Sequence, residues 1–323
     1  MLPLSSLLSV LWTPRFDVQL RVDSRTRARI VERPGQWWDE AELDTLRTDL
    51  RQVARAAMPH MDLTYGVFAE GEEGRRALSR SVITLVRDRA TGAPIAFNAL
   101  ALLDVDMDGT PTRLLHLGLV CIDPGVRGRG LSWVLYGLTC FLLLARNGLR
   151  PLWISNVTQV PAVAGMVAET FEDVYPSALP GARASLSHRL LAQGLLRDHR
   201  SVFGVGPEAG FDPARFVLTN AYTGGSDALK KRFDEATPHR DPAHNTFCAA
   251  QLDYDRGDDL VQIGRISLPA GLRYLRDEVP RRSLAALGLT LLGVVAHKAL
   301  LPLVSWLDTG RPMGRLAPWK RRA

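Results

Sequence analysis

The stretch LHLGLVCIDPGVRGRGLS, residues 115–132, decides how the rest of the chain is read. An apolar strand runs into an Asp123-Pro124 break, an Arg/Gly loop follows, and the loop opens a long apolar helix. A strand that feeds a glycine-rich turn and a helix N-terminus is a chain's way of cradling phosphate. Free N–H groups converge on the anion, and the helix dipole adds to the attraction. Gly128 and Gly130 let the backbone take φ > 0 and approach a ligand with no Cβ in the way. Arg127 and Arg129 add positive charge. The competing reading is a solvated turn with exposed arginines, because short glycine motifs recur by chance.

The neighbourhood favours the phosphate reading. Residues 81–87 alternate like a strand through Val82, Thr84 and Val86, and 88–94 is turn chemistry. An apolar run at 95–105, an Asp/Gly/Pro turn at 106–111 and a third strand at 113–122 follow. Residues 131–149 then read as a mostly buried helix closed by Asn147-Gly148, 151–155 as a short strand, and 161–171 as a second helix.

This order of strands and hairpins, followed by Arg127-Gly128-Arg129-Gly130-Leu131-Ser132 and a helix, resembles the GNAT superfamily of N-acetyltransferases. Ile122-Asp123-Pro124 stands where members of that family often carry Val-x-Pro. The second motif is the strand at Trp153, then Gln159-Val160-Pro161-Ala162 and a helix ending at Phe171, where relatives usually carry Asn-x-Pro-Ala and a closing Gly-Phe. The resemblance covers roughly residues 15–175, about one domain. It implies an α/β fold, a GNAT-like mixed sheet flanked by helices. It implies acetyl-CoA or a longer acyl-CoA as co-substrate, with loop amides of Arg127, Gly128, Arg129, Gly130, Leu131 and Ser132 on the pyrophosphate. The main chain of Val120, Cys121 and Ile122 would pair with the pantetheine arm, and Gln159 takes the place of the usual Asn. Ser132 replaces a Gly or Ala, a conservative change. The tyrosine acid of many relatives aligns with Met166 or Val167, neither of which donates a proton, and the family's closing hairpin is not evident.

Amine attack on a thioester needs a base for the amine, stabilisation of an oxyanion and a proton for the thiolate. His116, on the strand leading to the loop, is the candidate base; its competing reading is a half-buried strand histidine with a hydrogen-bond partner. Cys121 in an apolar strand reads as a small core residue. Tyr136 and Tyr175 read as acids or as core aromatics with satisfied hydroxyls. Trp37-Trp38 either lines an acceptor groove or packs the helix that begins near Asp39 and carries Leu43, Leu46, Leu50 and Val53. Glu70, Glu72 and Glu73 read as a solvated acidic segment or as a lure for a cationic amine.

Composition narrows the partners. The 323 residues carry a net charge of +6 with only four lysines (Lys230, Lys231, Lys298, Lys320), an arginine bias typical of GC-rich coding rather than a nucleic-acid footprint. No basic run interleaves with aromatics, so no nucleic-acid partner is read. Cys121, Cys140 and Cys248 give neither a disulfide framework nor zinc spacing, so no metal is expected and a reducing cytoplasm fits.

Three regions follow: an apolar arm at 1–14, the GNAT-like acyl-CoA-binding domain at 15–176, and a mainly helical C-terminal region at 177–323. In the last, 186–196 and 226–236 read as helices and 237–245 as a polar stretch. An apolar helix at 283–307 is bracketed by arginines and interrupted by His297-Lys298 and Pro302. It reads as a core-covering helix, a helix lying on an anionic membrane surface, or a span. The function expected is acyl transfer from acyl-CoA to a small-molecule or lipid-linked amine. The alternatives are a degenerate CoA-binding sensor or scaffold, and a transferase with a long-chain donor at the inner face of a membrane.

Overall fold

The computed structural model describes residues 15–59, 64, 66–223 and 226–279. The arm read at 1–14 and the apolar helix read at 283–307 lie outside them. No helix among the described residues is long and apolar enough to cross a membrane.

The chain is a mixed α/β protein built on one large sheet. Strands β1 (Asp17–Arg21), β2 (Thr26–Glu32), β3 (Ser81–Asp88), β4 (Pro94–Met107) and β5 (Thr110–Ile122) form an antiparallel meander. Between β2 and β3 lie α1 (Glu40–Ala57) and α2 (Gly71–Leu78). Helix α1 starts where the acidic cluster places it. The Asp39 side chain accepts the Glu42 N–H, and the Glu42 carboxylate accepts the Asp39 N–H, a reciprocal cap that satisfies two orphan donors. Leu43, Leu46, Leu50 and Val53 form its buried stripe, with Trp38 packed beside them.

After β5 the Arg/Gly loop leads into a π-helical turn (Trp133–Leu138) and α3 (Thr139–Arg146). Strand β6 (Leu152–Thr158) then runs parallel to β5, the one parallel pairing among the described strands. Helix α4 (Pro161–Thr170) and β7 (Glu172–Tyr175) follow. The closing strand partner that is not evident in the sequence comes from far along the chain. Strand β10 (Asp259–Ile266) pairs antiparallel with β6 on one edge and with β7 and β9 (Val217–Thr219) on the other. Strand β8 (Gly210–Asp212) pairs with β9 at the end of the sheet. Residues 177–279 therefore supply α5 (Leu186–Asp198), α6 (Pro242–Gln251) and α7 (Leu268–Asp277) together with three strands. The sheet itself crosses the change of composition at 176.

The helix read at 226–236 is absent. A single 3₁₀ turn, Asp227–Leu229, stands there. Its backbone is drawn elsewhere: the Leu229 carbonyl accepts from Gln159 Nε2, and the Lys231 N–H donates to Gln159 Oε1.

Strand β4 is buried on both faces, and its alternation sorts the core. Ala96, Leu100 and Leu102 join the cluster under α3, whereas Phe97 and Ala99 meet α1 and Ala101, Leu103 and Val105 meet α5. Asn98, fully buried among these, accepts the Thr84 N–H and donates to the Leu135 carbonyl within the π-turn. The Thr84 and Thr139 hydroxyls share a 2.6 Å bond beside it. This network pins the helix that follows the loop to the sheet. Asn98→Leu strands a buried donor and a buried acceptor, so a loss of about 2 to 4 kcal/mol is expected, read by urea denaturation.

Candidate functional site

The sheet splits where β5 passes its bulge. Ala99 opposes Leu119 while Ala101 opposes His116, so Leu117 and Gly118 together face Leu100. Strand β5 pairs with β6 only through residues 114–117. Beyond them β5 stays bonded to β4 as far as Ile122, and β6 stays bonded to β10. The β6-side edge of Val120, Cys121 and Ile122 has no strand partner among the described residues. A cleft of about 360 Å³ occupies the split.

The Arg/Gly loop follows directly on the open end of β5. Arg127, Gly128, Arg129, Gly130 and Ser132 are exposed, and Leu131 is buried beneath them. Gly128 and Gly130 take φ of 79° and 70°. The Asp123 carboxylate folds the turn by accepting the Gly125 N–H, while the Gly128 and Gly130 N–H groups have no partner among the described residues. Exposed arginines, free amides and the first turn of a helix thus stand together at the end of the open strand edge.

The cleft passes through the sheet and has two sides. On the α3 side, Val120, Tyr136, Asn156, Val160 and Val163 line it. Burial raises the Tyr136 hydroxyl above its ordinary value, which keeps the phenol protonated at neutral pH. On the opposite side lie His116, Val157, Phe203, Tyr222 and Asp259. His116 meets the Ser155 hydroxyl through Nδ1 at 3.0 Å, and its ring lies 4.4 Å from that of Phe203. The partnered strand histidine and the cleft residue are therefore the same residue.

Burial pushes the His116 imidazole down to about 3, so the ring is neutral in the fold. A histidine depressed from 6.5 stabilises the neutral-pH fold relative to acid, because the unfolded chain takes up a proton that the native chain refuses. His116→Gln is expected to gain about 2 to 3 kcal/mol relative to the parent between pH 7 and pH 4.5, measured by urea melts at both. An unchanged difference would mean the imidazole ionises in place.

Other sequence candidates resolve as follows. Cys121 is buried and its thiol is pushed up to about 12, which suits a core residue. Tyr175 packs edge-on against Phe216 at 4.9 Å. Val167 is fully buried, and Met166 lines a separate cleft beside α7. Gln159 lies in the wall, with its side-chain amide bonded to Leu229 and Lys231 and its carbonyl accepting from the Tyr254 hydroxyl at 2.8 Å. That side chain latches residues 229–231 over the end of β6.

Two features carry no signal in the sequence. Asp259 lines the cleft from β10, and no local motif marks it. Glu169, His239 and His244 bring ligand-type atoms within 4.8 Å of one another. There the Asp241 N–H donates to His239 Nδ1, which leaves the neutral ring's proton on Nε2, facing Glu169. Arg240 donates to the same Glu169 at 2.9 Å. This cluster clasps α4 to the segment leading into α6.

No protein-family model matches the chain, and no curated protein matches it. Among solved structures, a conserved protein of unknown function from Enterococcus faecalis V583, described as a probable N-acyltransferase, is similar at 14% identity with a TM-score of 0.32. The overlap takes in 55% of this chain and 45% of that one, so the likeness spans less than half of that protein's length.

Proposed function

We propose that the chain is a GNAT-like N-acyltransferase that draws its acyl group from a CoA thioester lying in the split between β5 and β6. One observation carries the reading: the sheet opens past Leu117 just where the unpartnered amides of the Arg/Gly loop stand at the end of β5. An extended ligand bearing amides can pair with the free edge of Val120, Cys121 and Ile122 as an added strand does. Its pyrophosphate then meets the Gly128 and Gly130 N–H groups, the following helix terminus and the Arg127 and Arg129 guanidiniums. The thioester falls near the bulge at Gly118, where the cleft opens to the other face.

The chemistry needs a donor for the leaving thiolate. Positions 166 and 167 supply none, which favours a binding-only module. The protonated Tyr136 hydroxyl in the cleft wall favours turnover. The acceptor is an amine, and the donor is acetyl-CoA or a longer acyl-CoA.

The test is calorimetry of the full chain with CoA, acetyl-CoA and a long-chain acyl-CoA. Micromolar binding of CoA and acetyl-CoA is expected, and preference for the long chain would shift the donor assignment toward lipid chemistry. No heat with any of the three, on folded protein, would end the reading.

A further inference from the structure

The side of the cleft away from α3 is not needed by the donor. It is walled by Val157, Val202, Phe203, Leu229 and Leu119, with residues 201–203, 221–222 and 226–231 folded over it. Among the described lining residues Asp259 is the one carboxyl. It opens β10, opposite Leu218 of β9, and shares a strand face with Val261 and Ile263, both in the cluster with Phe216 and Ala221. It is 6% exposed. The Tyr222 hydroxyl donates to its Oδ1 at 2.9 Å, and Oδ2 has no donor among the described residues.

Resting on the acyl-CoA reading above, we infer that Asp259 is the base for the acceptor amine, and that the acceptor is a monoamine on an apolar body. A lone carboxylate in an apolar chamber is a strong partner for one ammonium, because little water competes for either charge. A second ammonium would have to sit in the same cleft as Arg80 and Lys231, the two flexible cations in its lining. Polyamines are therefore poor acceptors.

The step balances with these groups. Asp259 Oδ2 takes one proton from the bound ammonium and passes it to solvent, and the freed nitrogen lone pair forms the C–N bond at the thioester carbonyl. The carbonyl π pair moves to oxygen and returns as the C–S bond breaks. The thiolate takes the Tyr136 hydroxyl proton, which solvent replaces, and Asp259 takes the second proton from the acylated nitrogen and releases it to solvent.

Asp259 is better matched to this task than His116. Burial pushes its carboxyl up to about 7, with the Tyr222 hydrogen bond opposing the rise and the Asp258 charge adding to it. A base works best when its pKa lies near the operating pH. Asp258 itself is held by Arg256 at 2.7 Å, and Lys231 and Arg80 line the cleft along with Tyr222 and His116.

The experiment follows thiol release from acetyl-CoA with benzylamine, octylamine or spermidine as probe, using the full chain. Calorimetry with acetyl-CoA runs alongside. Asp259→Asn is expected to lower kcat/KM for the two monoamines about 100-fold or more. It should keep acetyl-CoA affinity within about twofold and lose the acidic limb of the pH profile near neutrality. Tyr222→Phe removes a bond to the charged form, so it should move that limb to higher pH with a smaller loss of rate.

Full activity or an unmoved limb in Asp259→Asn overturns the assignment. Should that variant fail to bind acetyl-CoA, an unmoved limb in Tyr222→Phe overturns it instead. Spermidine turning over faster than the monoamines, or parent protein that binds acetyl-CoA but acylates neither monoamine, overturns the acceptor class and leaves the donor site standing. Absence of acetyl-CoA binding by the parent removes the donor reading beneath it.

Discussion

Gly118→Val is expected to remove acyl-CoA binding and to cost the fold about 3 kcal/mol. Gly118 sits in the bulge of β5, and a Cβ at that position would stand 2.3 Å from the Ala99 carbonyl oxygen. Backbone cannot yield as a side-chain tip does. The strand must either move off β4 or give up the bulge. Losing the bulge would let β5 continue alongside β6 past Leu117 and close the cleft that the donor needs. Urea denaturation reads the first consequence and calorimetry with acetyl-CoA the second. A variant that loses stability but binds acetyl-CoA normally would show that the split is not the donor site.

Gly130→Trp should have the second largest effect, and of a different kind. The residue is exposed, at φ 70°, and a Cβ there would meet nothing within 4 Å. The left-handed backbone therefore sets the cost of the substitution at only about 1 to 2 kcal/mol. An indole beside the free amides of Gly128 and Gly130 occupies the space a pyrophosphate must enter. Affinity for CoA and acetyl-CoA is expected to fall about 100-fold, equivalent to about 2.7 kcal/mol. The melting temperature should move far less than in Gly118→Val. Normal affinity in Gly130→Trp would make the loop an ordinary solvated turn.

The two glycines illustrate what can be read from the sequence. Gly130 is legible because the loop's chemistry is local: adjacent glycines, adjacent arginines, an apolar run on either side. Its φ and exposure follow from that pattern. Gly118 does not stand out, because its role depends on a register between β4 and β5 that no single strand encodes. The same reason hides β10. Residues 259–266 pair with β6 across roughly a hundred positions of chain, and the strand's burial on both faces erases the alternation that would mark it. Asp259 is hidden with its strand.

His116 is legible as a strand residue near the loop, yet its commitment to Ser155 depends on β6 arriving in parallel beside it. The reading of 226–236 as a helix fails for a complementary reason. Local propensity is overruled by the Gln159 side chain, which captures the backbone of Leu229 and Lys231. Helix α1, by contrast, carries both its cap and its apolar stripe within its own sequence, so its expected start and buried face agree with the fold.

The most direct test of the central claim is amide hydrogen exchange on the full chain, with and without saturating acetyl-CoA. Binding in the split should slow exchange at residues 118–122, whose free edge the pantetheine would pair, and at 128–132, whose amides the pyrophosphate would occupy. Unchanged exchange at both segments, or protection confined to other parts of the chain, would contradict it.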